Sequence, residues 1–239
     1  MKKFRFAILG AGHIARQFCD AVSRIDGCEV CAVASKSLAR AENFAKENGV
    51  ESYYDDYEML LEKEKPDCAY IAVTTNDHYR LSVLCVNHSV PVLCEKAMFQ
   101  NSEEAKNLYT LASEKKIFVM EALWSRYLPA VQQAKRWVEQ EKIGTPTVLQ
   151  CNIGFVAPDD KENRYFNPKL GGGATKDITV YAYEITTFIL NQAIKNISVS
   201  ATWSDTGVDV TDHVAICFED TFADLLTSFV AQLEEQMVI

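Results

Sequence analysis

The sequence predicts an α/β protein in two parts. A doubly wound parallel sheet comes first, and an α+β domain with a mainly antiparallel sheet follows, short at its C-terminal end. Three observations predict this. An apolar strand at residues 4–9 runs through a glycine turn directly into a helix. Strand and helix patterns then alternate as far as residue 121. Beyond Glu121 the pattern changes to a long helix, a polar loop and strands that alternate apolar with polar residues.

The opening stretch is FRFAILGAGHIA, residues 4–15, with Gly10, Gly12 and Ala15 at the G-x-G-x-x-G/A spacing. Strand before and helix after are the context that makes this spacing a dinucleotide fingerprint. Gly10 allows the tight turn. Gly12 lets backbone approach a pyrophosphate, and Ala15 lets helix pack on strand. The phosphates meet the free N–H groups and positive dipole end of the helix around His13 and Ile14. Without a ligand, the same residues would simply make a tight strand-to-helix turn.

The first helix spans about Ile14–Ile25, with Ile14, Phe18, Ala21, Val22 and Ile25 on one face and Gly27 beyond its end. Strand two, Cys28–Ala34, is nearly continuous in apolar residues, as strands covered on both faces are. Ser37 caps the next helix, which stops at Gly49. There follow a strand at Ser52–Tyr54, a helix at Asp56–Glu62, a strand at Ala69–Thr74, a helix at Tyr79–Asn87 and a strand at Val90–Cys94. Asn101 and Glu104 make a capping-box start to a helix ending near Lys115, and strand six is Ile117–Met120. This gives a dinucleotide-binding domain over residues 1–121.

Residues 122–239 read as a substrate and dimerisation domain. It has a helix at Pro129–Glu141, a strand at Thr147–Phe155 and a polar loop over 156–168. After Gly171–Gly172–Gly173 comes a helix at Asp177–Leu190. Strands at Ile197–Trp203, His213–Phe218 and Ala223–Val230 close the chain.

Composition excludes several classes of function. The chain has 239 residues, 48% hydrophobic and 24% charged, with a formal net charge of −9. That balance argues against nucleic acid or an anionic membrane as partner. No apolar run approaches the ~18 residues of a membrane span, and the lysines before Phe4 lead to a glycine turn, not a cleavage site. The expected location is cytoplasmic. The eight cysteines mostly sit in apolar runs as small core residues. Cys28 and Cys31 form a C-x-x-C inside a strand, where side chains three apart face opposite sides, so no metal site is expected.

Cofactor choice is read at the end of strand two. An acid there, about 20 residues past the glycines, binds the ribose hydroxyl of NAD. Here the residues are Ser35, Lys36 and Ser37, with Arg40 one turn on. Hydroxyls and cations suit a 2′-phosphate, so NADP is expected, with NAD the alternative. Lys36 and Arg40 could equally be ordinary surface charges.

The stretches AILGAGHIA, AVASKSLARAENFA, CEKAM, VMEALWSRYLPAV and NPKLGGGATKDITVYA, in this order, resemble the glucose–fructose oxidoreductase / inositol dehydrogenase (Gfo/Idh/MocA) family. The likeness is to its dihydrodiol dehydrogenase and NADP-dependent xylose dehydrogenase branch. The resemblance implies hydride transfer between nicotinamide and a small sugar, polyol or trans-dihydrodiol. It implies that Glu95 and Lys96 lie by the nicotinamide, that Tyr181 moves the proton, and that Asp177 is its acidic neighbour. Trp124 and Arg126 would line the site, His78 would lie near the nicotinamide, and Thr74 and Asn76 would touch the cofactor. It also implies a homodimer formed through the second sheet. A lysine near a tyrosine lowers the phenol's affinity for its proton, so Lys96 and Tyr181 suit a general acid–base pair. Asp177 and Tyr181, four apart, are expected on one helix face. Read alone, Tyr181 is as plausible in the core as in a site, and Trp124 reads as a core residue more readily than as a site residue.

The sequence departs from the family at Ala97, where proline is usual, and at Thr179, where glycine is usual. The first bears on the aim of Lys96, the second on close packing near Tyr181. Members of the family are also usually longer, and an open sheet edge is expected at Met237–Ile239, covered by another chain or left by truncation. A non-catalytic, cofactor-binding sensor on the same fold is the alternative to an enzyme.

Overall fold

The computed structural model describes residues 2–239. Two compact units divide the chain, the first ending at Ala122 and the second spanning Leu123–Ile239.

In the first unit β1 (Phe4–Leu9), β2 (Cys28–Ala34), β3 (Ser52–Tyr54), β4 (Cys68–Ile71), β5 (Val92–Cys94) and β6 (Val119–Glu121) alternate with five helices. These are α1 (His13–Ser23), α2 (Leu38–Asn48), α3 (Tyr57–Glu64), α4 (Thr75–Asn87) and α5 (Ser102–Lys115). The strands lie in the order β3-β2-β1-β4-β5-β6 and all pair in parallel. This is the doubly wound order, whose ligand crevice opens where β1 and β4 lead away in opposite directions. Alternation along β1 builds both layers. Ala7 and Leu9 pack with Leu60, Leu81 and Leu108 on one side, while Ile8 packs with Ala15, Phe44 and Tyr70 on the other.

Local chemistry sets the helix ends. Ser37, Asp56 and Asn101 each accept a backbone N–H at the start of α2, α3 and α5. Gly49 ends α2 with φ 68°, as its position past the last apolar turn predicts. Glu104 answers Asn101 by accepting the Gln100 N–H, one residue earlier than the expected box. One boundary correction is at β4. This strand ends at Ile71, not Thr74, and α4 begins at Thr75, a full turn before Tyr79. Thr74 holds the N-cap position without a side-chain cap bond, and only Asp77 in the first turn marks the start, within a polar run that reads as a loop.

The second unit contains α6 (Pro129–Glu139), β7 (Val148–Gly154), α7 (Val180–Leu190), β8 (Ile194–Trp203), β9 (Asp209–Phe218), β10 (Phe222–Ser228) and β11 (Gln236–Val238). The sheet order is β11-β7-β10-β9-β8, and β7 and β10 run parallel while the other pairs are antiparallel. Leu149, Cys151, Val214, Ile216 and Leu225 pack with Ala182 and Leu190 of α7. The edges are β11 and β8, so the strand at the end of the sequence is an open edge, as expected, while β10 lies inside the sheet between β7 and β9. One expectation is corrected: the helix expected from Asp177 begins as a π-helical turn over Thr175–Thr179 before α7 proper. No helix among the described residues is long and apolar enough to cross a membrane.

Candidate active site

The crevice of the first unit is formed by strand ends. Gly10 has φ +114°, and a Cβ there would lie 2.6 Å from the Ala72 carbonyl oxygen. Glycine at this position is therefore demanded by the fold itself. Gly12 differs. Its φ of −102° suits any residue, and a Cβ would meet no chain atom nearer than the Ala72 oxygen at 3.8 Å. Space is open above Gly12, which fits the close approach of a pyrophosphate from outside. Ala15, on the first turn of α1, is fully buried and packs with Ile8 of β1. The two helices that start at the crevice, α1 and α4, have no side-chain cap, unlike α2, α3 and α5. Their first N–H groups thus suit an anion. The donor set and the open space at Gly12 fit a dinucleotide.

Other predicted residues take defined places. His13 opens α1, exposed beside Gln17, and Ile14 follows it half-buried. Ser35 is buried, its N–H donating to the Tyr54 carbonyl. Lys36 is exposed but held, its Nζ 2.5 Å from Asp77 Oδ2, while Arg80 donates to the other oxygen at 3.1 Å. Burial alone would raise the Asp77 carboxyl, but the two cations hold it below its ordinary range. Arg40 is exposed on the first turn of α2. The Thr74 hydroxyl donates to Asn76 Oδ1 at 2.6 Å.

His78 is 1% exposed. Nδ1 lies 2.8 Å from the Ala97 carbonyl and Nε2 3.0 Å from the Val73 carbonyl. It thus ties the segment after β4 to the segment carrying Lys96, whose peptide bond to Ala97 is cis. Burial pushes the His78 ring below its ordinary pKa. Glu95 is buried, accepts the Tyr70 hydroxyl at 2.5 Å, and has its carboxyl raised by that burial. Glu121, which the sequence reading passed over, accepts the Met98 N–H at 2.8 Å.

In the second unit a 3₁₀ turn over Trp124–Tyr127 faces α7. Trp124 Nε1 donates to the Tyr181 hydroxyl oxygen at 2.8 Å, with the rings edge to face. One turn further along α7, Glu184 is 3% exposed and receives both the Ser125 hydroxyl, at 2.6 Å, and the Arg126 Nε. Arg126 also lies over the Phe188 ring. Trp124 and Arg126, both on the 3₁₀ turn, are thus anchored to α7, the first at Tyr181 and the second at Glu184. Glu184 was missed, although it is the sole charge in VYAYEITTFIL. Asp177 lies in the π turn and not in α7 itself, and it pairs with Arg164 of the long loop at 2.9 Å. Thr179 is buried, its hydroxyl 2.7 Å from Asp212 Oδ2 and 2.6 Å from the Thr227 hydroxyl.

A doubly wound parallel sheet with this crevice, followed by a unit built on a mostly antiparallel sheet, defines a class: chains that join a dinucleotide-type domain to a second sheet domain. The model of the oxidoreductase family with NAD-binding Rossmann fold matches residues 4–123, and that of the GFO/IDH/MocA C-terminal domain matches residues 131–239. The chain belongs to this family, and its first unit is a Rossmann domain for a nicotinamide dinucleotide. It is 30% identical over 217 residues to a trans-1,2-dihydrobenzene-1,2-diol dehydrogenase of Danio rerio, covering 90% of this chain and 64% of that protein. An oxidoreductase of Thermotoga maritima is 27% identical with a TM-score of 0.86, covering 98% of this chain and 75% of that one. An Agrobacterium radiobacter oxidoreductase, solved with NAD+, L-tartaric acid and magnesium, is 19% identical with a TM-score of 0.85, covering 98% and 70%. The chain spans 64% to 72% of the length of the first curated relatives it matches.

Proposed function

We propose that this chain carries the machinery of an NADP-dependent oxidoreductase that moves a hydride between the nicotinamide and a CH–OH or C=O carbon of a small sugar, polyol or trans-dihydrodiol. The observation that carries the reading is the Trp124–Tyr181 hydrogen bond. An indole nitrogen is a donor only, so the Tyr181 oxygen accepts, and the phenol's own proton points elsewhere. That bond also favours the phenolate, as a general base requires. Lys96 is the cation that steadies charge on the substrate oxygen, and Tyr181 delivers or removes its proton. Asp177, held by Arg164, is the acidic neighbour of Tyr181 in the chain. The bound nicotinamide supplies the hydride.

NADP over NAD is supported by Ser35, Lys36 and Arg40 where an acid would serve NAD. Gly10, Gly12, His13, Ile14 and Ala15 would form the phosphate turn and Thr74, Asn76, His78 and Glu95 would line the crevice; the family resemblance adds Trp124 and Arg126 to the cofactor residues. Residues 1–121 would hold the cofactor and 122–239 the substrate. The protein would be cytoplasmic and dimeric. The uncovered sheet face, with Phe222 46% and Val148 52% exposed, is the surface on which a second copy would sit.

The test supplies NADPH and NADP+ with a panel of aldoses and diols and follows absorbance of the reduced nicotinamide. Turnover that Tyr181→Phe abolishes is the expected result. Tight NADP(H) binding without turnover on any panel member would replace the enzyme with a sensor. A mass measured in solution at the monomer value would remove the dimer.

A further inference from the structure

The π-helical turn that leads into α7 hangs on two carboxyl groups of β9. Thr175 N and Thr175 Oγ1 both reach Asp209 Oδ2, at 2.5 and 2.9 Å. The same Oγ1 lies 3.0 Å from Asp212 Oδ2. Thr179, one turn on, places its hydroxyl on that Asp212 oxygen and on Thr227, which faces Asp212 across the β9–β10 pair. Asp212 is 1% exposed, and its second oxygen is buried with no hydrogen-bond partner. Among the described residues, Asp209 is the charged group that faces it, and no cation pairs with either acid.

Counting protons gives the argument. A threonine hydroxyl has one proton to donate. Thr175 Oγ1 cannot donate to Asp209 and to Asp212 at once, so with both acids ionised one of its two contacts brings lone pair against lone pair. Two ionised carboxylates this close also repel, in a site where burial already penalises charge. A single proton on Asp212 Oδ2 removes the conflict. Asp212 then donates to Thr175 Oγ1, Thr175 donates to Asp209 Oδ2, and Thr179 still donates to Asp212. Every hydroxyl in the chain is then used once as a donor.

We propose that Asp209 and Asp212 share one proton at neutral pH, and that Asp212 so protonated is a positioning residue that fixes the turn leading to Asp177 and Tyr181. The directional shift of Asp212 agrees: burial, first, and the adjacent Asp209 raise its carboxyl above the ordinary value. The positioning role rests on the reading of Tyr181 as the proton carrier; the shared proton does not. Thr179 is what extends the chain of hydroxyls to the second turn of the segment.

Infrared spectroscopy of the whole chain tests the proton without requiring turnover. At about pH 7, where ordinary carboxyls are ionised, the wild type should show the carbonyl band of one protonated carboxyl, lost in both Asp212→Asn and Asp209→Asn. Titrating that band away at higher pH should shift Trp124 emission through its bond to Tyr181. The shift should be absent from Asp212→Asn, whose amide stays neutral, and from Trp124→Phe. A wild type without the band, or a band surviving in either variant, overturns the shared proton. An emission shift that persists in Asp212→Asn overturns the positioning role. A chain that shows band and shift yet turns nothing over would remove only the enzymatic reading.

Discussion

Trp124 Nε1 donates to the Tyr181 hydroxyl oxygen across 2.8 Å, so the indole fixes the phenol without taking its proton. Replacing Tyr181 by phenylalanine should lower kcat about 10²–10⁴-fold, the usual value of a positioned acid–base group. Trp124→Phe keeps the ring packing and loses one hydrogen bond, about 0.5–1.5 kcal/mol. Its kcat should therefore fall only several-fold, with an altered pH profile. Steady-state rates against pH for the two variants check both; equal losses would refute the ordering.

The two glycines of the first turn should separate stability from binding. Gly10→Ala forces a side chain into φ +114° and against Ala72, and should cost at least about 1–3 kcal/mol in unfolding. Gly12→Ala meets open space, so its stability should change by less than about 1 kcal/mol. Dinucleotide affinity should nevertheless fall tenfold or more, about 1.4 kcal/mol. Denaturant unfolding and a cofactor fluorescence titration measure the two effects.

Lys36 and Asp77 set a competition for one cation. Lys36→Ala should weaken NADP binding about tenfold, the value of one charged contact, and leave NAD unchanged. Asp77→Asn frees the ammonium and should tighten NADP. Dissociation constants for both cofactors decide the matter; equal loss of NAD and NADP in Lys36→Ala would show that Lys36 does not read the 2′-phosphate.

The buried His78 predicts an acid limb of stability. Its folded pKa is depressed, so its contribution is present above the unfolded value of about 6.5 and lost as pH falls through the folded one. Thermal midpoints should drop more steeply between about pH 7 and pH 5 in the wild type than in His78→Gln. Parallel curves would indicate that burial of this ring leaves its titration unchanged.

Much of the fold was legible because local chemistry and global layers agree. The apolar run Cys28–Ala34 is a strand buried in a parallel sheet, and Ser37, Asn101 and Gly49 act where their types predict. What escaped depends on partners distant in sequence. The β7–β10 pairing, the Arg164–Asp177 ion pair and the seat of Arg126 on Glu184 join residues that no spacing rule connects. The π turn escaped because its cause, two carboxyls on β9, lies beyond any helical window. The glycine turn, by contrast, holds its whole rationale within a few residues and one contact to Ala72.

The parallel β7–β10 ladder carries a consequence for the order of assembly. Val148 lies opposite Phe222, so the centre of the second sheet waits until residues beyond β10 have left the ribosome, and β11 is laid on β7 later still. Bringing such distant segments together is slow relative to local zipping. The first sheet has no such wait, because its neighbours β1, β2 and β3 arrive in succession and β4 soon after. During synthesis, β7 must therefore linger with both backbone edges bare, and the nascent second unit is the stage at which this chain is most exposed to strand exchange with another copy.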